Sequence, residues 1–153
     1  MAFFMEDIYI DKVFPCSKEE AWKFWTTHEG LKAFFGRDNK IELKLYGAYE
    51  IYFDLEAPLG LRGSESCKVL SYIPEQMLSF SWNAPPSIPS IRNGDKQTFV
   101  VLFFEQISPE QCRISLRHSA WMDEGEDWIK CRNYFSEAWP WVFEQLEIVL
   151  NKN

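Results

Sequence analysis

The sequence predicts an α+β fold: an antiparallel sheet with its helices segregated to one side or end, and one long helix on the sheet's concave face. Three observations carry this. A strand-like segment from Ile8 to Phe14 is followed by two short helical segments. Short apolar stretches split by turn residues then run from Lys40 to Val101, part of a succession of about six antiparallel strands. The chain closes on an amphipathic stripe whose apolar residues recur at steps of three and four.

In the first strand Ile8, Ile10 and Phe14 alternate against Tyr9 and Asp11, the two-residue period of a half-buried strand. Ser17 is a good N-cap, with Glu20 three residues later to complete a capping box, and Ala21, Trp22, Phe24 and Trp25 supply the apolar side of the helix that follows. A second short helix is expected from Glu29 to Phe35, closing at Gly36. "IELKLYGAYEIYFDL" reads as two strands joined near Gly47, "PLGLRG" as a turn, and "ESCKVLSYI" as a strand. "PEQMLSFSW" turns at Pro74 into a strand with Leu78, Phe80 and Trp82 on one face. "NAPPSIPSIRNGD" is long for a hairpin connection, and its Ile88 and Ile91 either tuck against the domain or form a lid or sticky surface. "KQTFVVLFFEQI" and "CRISLRHSAW" make the last strand pair, turned at "SPEQ".

In the closing helix Trp128, Cys131, Phe135, Trp139, Val142, Leu146 and Val149 form a stripe that runs unbroken past Pro140. The helix is therefore expected to continue through the proline, which falls off the stripe and offers no N–H to the carbonyl of Ser136. The simplest consequence is a kink that lets a long helix follow a curved sheet. Such a bend would also set the volume enclosed between helix and sheet.

Composition bounds the function. At 153 residues the chain suits one domain, here residues 1–153, burying roughly 68 to 70% of its unfolded surface without a metal or disulfide. Apolar residues make up 46% and aromatic residues 17%, with thirteen Phe and seven Trp, which excludes a disordered chain. A net charge of −7, with no local Lys/Arg cluster, argues against nucleic acid and anionic membrane surfaces as partners. The first residues lack a basic stretch, a long apolar run and a small-residue cleavage site, so no signal peptide is read, and no stretch of 18 apolar residues suggests membrane insertion. Cys16, Cys67, Cys112 and Cys131 are far apart with no CxxC spacing, which fits free thiols in a reducing cytoplasm better than bridges.

The chain has no HExxH, GxSxG, P-loop or dinucleotide fingerprint, and only two histidines, so no metal, cofactor or catalytic set is assigned. His118 shares a strand face with Ile114 and Leu116, which puts it inward near a cavity mouth as a structural residue or, alternatively, a ligand contact. "DEGEDW" holds four acids, best explained by the dipole at a helix N-terminus rather than by acid/base chemistry or a cation site. The aromatic residues are the main functional hint. Trp22, Phe35, Tyr49, Ile51, Phe53, Phe80, Trp82, Trp128, Phe135 and Trp139 come from every element expected to face inward. With His118 they are the candidate lining of a ligand cavity, in which the Tyr49 hydroxyl and Trp82 indole would be polar tips.

"FPCSKEEAWKFWTTHEGLKAFFG", "GAYEIYF", "PEQMLSFSW", "CRISLRHSAW" and "YFSEAWPWVFEQLEIVL" fall in an order that resembles the SRPBCC or START-like superfamily, the fold of the birch pollen allergen. Within it the chain is similar to the group named for the C-terminal domain of the activator of the ninety-kilodalton heat-shock protein ATPase. Ala48 after Gly47 departs from the second glycine of many relatives and implies a slightly different turn. The resemblance implies a helix-grip fold, a bent antiparallel sheet around the C-terminal helix, with a cavity closed at one end by the two short helices. It also implies binding of a small hydrophobic molecule such as a lipid or polyketide. Apart from the resemblance, a monomer is the default, with exposed aromatic or proline-loop surface the alternative basis for a dimer. Two alternatives to ligand binding follow from the resemblance. One is a cyclase, dehydratase or hydrolase acting on an apolar substrate, for which His118, Tyr49 and Glu65 are the best available residues. The other is a co-chaperone acting on a heat-shock ATPase through its surface, a role for which the activator itself carries another domain ahead of this one.

Overall fold

Strand β1 (Ile8–Phe14) opens the computed structural model, which describes residues 5–121 and 125–152. Ile8 and Phe14 are buried and Tyr9 and Asp11 exposed, as the alternation requires. Ser17 caps α1 (Lys18–Thr26) with both bonds of the capping box: its Oγ accepts from the Glu20 N–H, and the Glu20 carboxylate accepts from the Ser17 N–H. Thr27 then caps α2 (His28–Phe34), accepting from the Gly30 N–H at 3.0 Å. Past Phe35, Gly36 takes φ +136°, where an added Cβ would lie 2.6 Å from Ile51 Cγ2. Only glycine lets the chain turn there and pass this close to the next hairpin.

Six further strands follow, β2 (Asp38–Ile41), β3 (Tyr49–Tyr52), β4 (Val69–Ile73), β5 (Met77–Trp82), β6 (Thr98–Ser108) and β7 (Gln111–Ser119). One antiparallel sheet has the order β1-β7-β6-β5-β4, and β2-β3 forms a second ladder. The two are stitched by an Ala48–Lys68 bridge and by backbone bonds between Gly47 and Val69 and between Tyr49 and Cys67. The strand expected over "ESCKVLSYI" is thus shorter than its sequence suggested. Glu65 and Ser66 lie in a turn in which Ser66 has φ +73°, and pairing as β4 begins only at Val69. The long connection after Trp82 also differs from a simple loop. It holds a four-residue helix, α3 (Pro89–Arg92), started by a proline whose missing N–H costs nothing at a first helical turn. Ile88 and Ile91 are buried by it, so they are tucked against the domain and do not form a lid.

Helix α4 (Glu126–Asn151) runs without interruption through Pro140, which is exposed. Cys131, Phe135, Trp139, Val142, Phe143, Leu146 and Leu150 form its buried stripe; Trp128 and Val149, at the ends of the expected stripe, are only partly buried. Phe14 of β1 meets Phe143 edge-on at 5.5 Å, and Trp82 of β5 lies 5.4 Å from Trp139, so α4 crosses the sheet's inner face. Trp25, fully buried, stands edge-on to Phe34, Phe35 and Phe143 and locks α1 and α2 to α4. Each such pair contributes roughly 0.5–1.5 kcal/mol beyond its buried area. Trp22 against Phe104, and the Lys18 N–H on the Gln106 side chain, seat α1 over the end of the sheet where β6 turns into β7. The opposite end, at Trp82, Thr98 and His118, is left to α4 and the loops. All four cysteines are buried and free. Among the described residues no helix is long and apolar enough to cross a membrane.

Candidate functional site

The polar residues singled out in the sequence are placed in three separate networks. Alternation along β7 turns Ile114, Leu116 and His118 inward, and His118 is completely buried. An indole N–H can only donate, so the 3.0 Å contact from Trp139 Nε1 makes His118 Nδ1 an acceptor and places the ring proton on Nε2. Nε2 then donates to Thr98 Oγ1 at 2.6 Å, whose hydroxyl donates to the Trp82 carbonyl at 3.2 Å. Burial, reinforced by the charge of Arg132, pushes the imidazole down to a pKa of about 3. The ring is a neutral strut held between two tryptophans.

Tyr49 is equally committed. Its ring stacks on Phe80 at 4.1 Å, its hydroxyl donates to the Trp25 carbonyl at 2.8 Å, and burial raises its pKa well above the ordinary phenol value. Burial alone would also raise Glu65. The N–H groups of Arg62 and Gly63 and the charge of Arg92 outweigh that and hold its carboxyl below the ordinary range. No hydrogen bond joins any two of His118, Tyr49 and Glu65. Asp123 and Glu124 of "DEGEDW" lie outside the described residues. Glu126 and Asp127 occupy the first turn of α4, where Asp127 accepts from the Ser90 hydroxyl. Among the described residues no three His, Cys, Asp or Glu side chains converge as a metal would need.

What the fold does enclose is a pocket of about 530 Å³ at the Trp82 end of the sheet. One side is α4, which contributes Tyr134, Phe135, Ala138, Trp139, Trp141 and Val142 and no charged group. Phe35, Phe53 and Trp82 add further aromatic surface. The other side comes from the segment after β3 and the loop after β5: Ala57, Pro58 and Leu61, then Ala84, Pro85 and Pro86, with Arg62, Ser64, Asn83 and Arg92 as polar groups and Asp54 exposed at the edge. Arg92 braces these two segments to each other. Its guanidinium donates to the carbonyls of Ala84 and Gly60, each at 2.7 Å, and to Glu65 at 3.0 Å. Its side chain is 5% exposed, so solvent does little to weaken that pair.

Of the residues read from the sequence as cavity lining, Phe35, Phe53, Trp82, Phe135 and Trp139 border this pocket. The other six do not. Trp22 packs on Phe104 at the far end of the sheet, Tyr49 and Phe80 are spent on each other, and Ile51 lies sealed beneath Gly36. His118 stands behind the wall that Trp139 and Trp82 form, away from the mouth, and Trp128 packs at the start of α4. Inward-facing aromatics are shared between core and pocket, and alternation cannot tell one from the other. Tyr134, Ala138 and Trp141 were missed because they fall off the main stripe. Their own spacing of four and three was the available signal: it widens the apolar arc of α4 beyond what the sheet alone covers.

The family model described as "Activator of Hsp90 ATPase homolog 1-like protein" matches residues 15–151. Solved structures agree on the fold. A protein from Mesorhizobium loti superposes with a TM-score of 0.75 at 18% identity, covering 97% of this chain and 98% of that one. The Aha1 dimer from Colwellia psychrerythraea gives 0.69 at 18% identity, covering 95% and 96%. CalU16 from Micromonospora echinospora gives 0.69 at 17% identity, covering 94% and 75%. No curated protein matches the sequence at a significant level.

Proposed function

The chain belongs to the Activator of Hsp90 ATPase homolog 1-like family, and we propose that it binds a small hydrophobic molecule in the pocket beside α4. The observation that carries this reading is the α4 side of the pocket. A helix needs one stripe to cover a sheet, yet α4 has a second, and its Trp141 and Tyr134 stay about half exposed, at 54% and 49%, beside an open volume. Exposed aromatic surface next to a concavity lined by Phe35, Trp82 and Trp139 is what an apolar ligand would cover. The protein acts, on this reading, as a cytoplasmic binding or carrier module, monomeric by default.

Native mass spectrometry of the protein purified from its own organism tests this, followed by extraction and identification of any bound molecule. A one-to-one adduct with an apolar compound is the expected result. An empty protein that also fails to take up lipids or polycyclic aromatics would overturn the reading. The family's description favours a second reading, action on a heat-shock ATPase through the surface. Capture of that ATPase together with a change in its turnover would support it, and the absence of both would remove it.

A further inference from the structure

The polar groups of the pocket are not spread evenly. The α4 side carries no charge, whereas Arg62, Ser64, Asn83 and Arg92 stand on the facing loops. Most of these are already occupied. Arg92 is paired with Glu65, Ser64 Oγ accepts from the Ile51 N–H, and the Asn83 amide donates to the Glu65 carbonyl. Arg62 differs. Its Nε donates to the Ala57 carbonyl at 2.8 Å, which fixes the plane of the guanidinium. Among the described residues its two terminal nitrogens have neither a hydrogen-bond partner nor a carboxylate within 4.0 Å. The side chain is half-buried. Asp54, the one acid bordering the pocket among the described residues, is exposed and accepts from the Glu56 N–H, so solvent screens it. A fixed, partly desolvated guanidinium whose Nη1/Nη2 edge is free suits a carboxylate more than any neutral group.

Resting on the binding function proposed above, we infer that the ligand is an organic acid: a flat apolar body laid against α4, with a carboxylate, or an equivalent acidic oxygen pair, bound by Arg62. The apolar part gains by leaving water, and the acid end keeps a charged partner where the pocket meets solvent.

A matched pair of probes tests this on the full chain: pyrenebutyric acid and pyrenebutanol, followed by quenching of tryptophan emission and energy transfer to pyrene. The acid is expected to bind roughly tenfold more tightly than the alcohol. That preference should shrink as salt is raised, and should largely vanish in Arg62→Gln while Arg62→Lys keeps part of it. Equal binding of the two probes by the unaltered protein would overturn the acid assignment and leave the pocket reading standing. Binding of neither would overturn both. A salt-insensitive preference, or one that Arg62→Gln retains, would take the role away from Arg62. The salt series on the unaltered protein decides the matter even if both variants fail to fold.

Discussion

The indole N–H of Trp139 donates to Nδ1 of His118 at 3.0 Å, and this bond links the core of the protein to its pocket. Trp139 forms part of the pocket wall, His118 has no exposed surface, and the opposite ring nitrogen reaches through Thr98 to the backbone of Trp82, a second wall residue. The orientation of the Trp139 indole therefore depends on one neutral imidazole, which also ties it through Thr98 to the backbone of Trp82.

Removing that imidazole is expected to be costly. His118→Leu leaves the Trp139 N–H and the Thr98 hydroxyl short of partners in a sealed site, and should lower stability by about 2–4 kcal/mol in urea unfolding at pH 7. Trp139→Phe keeps a ring in the wall but strands His118 Nδ1, with an expected loss of about 1–3 kcal/mol.

The same residue sets a pH dependence whose sign is fixed. His118 titrates near 3 when folded and near the ordinary 6.5 when unfolded. Between those values the unfolded chain binds a proton that the folded chain refuses. The contribution is complete above about pH 6.5 and declines by about 1.4 kcal/mol per pH unit as the pH falls toward 3. Unfolding measured at pH 7 and pH 5 should show this loss, and His118→Gln, which does not titrate, should flatten the slope by roughly 2 kcal/mol over that span. An unchanged slope in the variant would remove His118 as its source. Glu65, held below the ordinary carboxylate range, adds its own loss only at lower pH.

Trp141 separates binding from stability. It borders the pocket but is 54% exposed, so Trp141→Ala should change unfolding by less than about 1 kcal/mol while weakening ligand retention several-fold. Trp82→Ala and Trp139→Ala should also weaken retention, accompanied by a loss of about 3–5 kcal/mol because both residues are buried.

Arg92 is expected to hold the mouth in shape. Arg92→Met leaves Glu65 without its cation and the carbonyls of Gly60 and Ala84 without their donor. A loss of about 3 kcal/mol should follow, with faster amide exchange concentrated in residues 54–65 and 83–92. Uniform protection across those segments in the variant would show that the brace is dispensable.

The four thiols should be silent in the folded protein. Burial pushes Cys16, Cys67 and Cys131 up to about 12 and raises Cys112. At pH 8 none is expected to react with a disulfide reagent until the chain unfolds, when all four should. Fast labelling of any one under native conditions would contradict this.

The sequence by itself determined the order and type of nearly every element, because those depend on local rules. The alternation of Ile8 to Phe14, the Ser17–Glu20 capping box, the glycine at 36 and the stripe from Cys131 to Leu146 each act within one or two turns of chain, and each stands in the structure as read. Pro140 belongs with them: an exposed proline off the stripe costs one hydrogen bond, and burial of the stripe outweighs it. Only the tertiary structure decided which inward aromatics became core and which became pocket wall. Tyr49 and Phe80 carry the same pattern as Phe53 and Trp82, yet the first two face each other while the second two face open volume. That division depends on how far α4 stands from the sheet at one end and on two loops that Arg92 ties together, both distances in space with no period in the sequence. His118 shows the same limit. Alternation placed it inward, but its tautomer and its depressed pKa came from Trp139, Thr98 and Arg132, which only folding brings beside it.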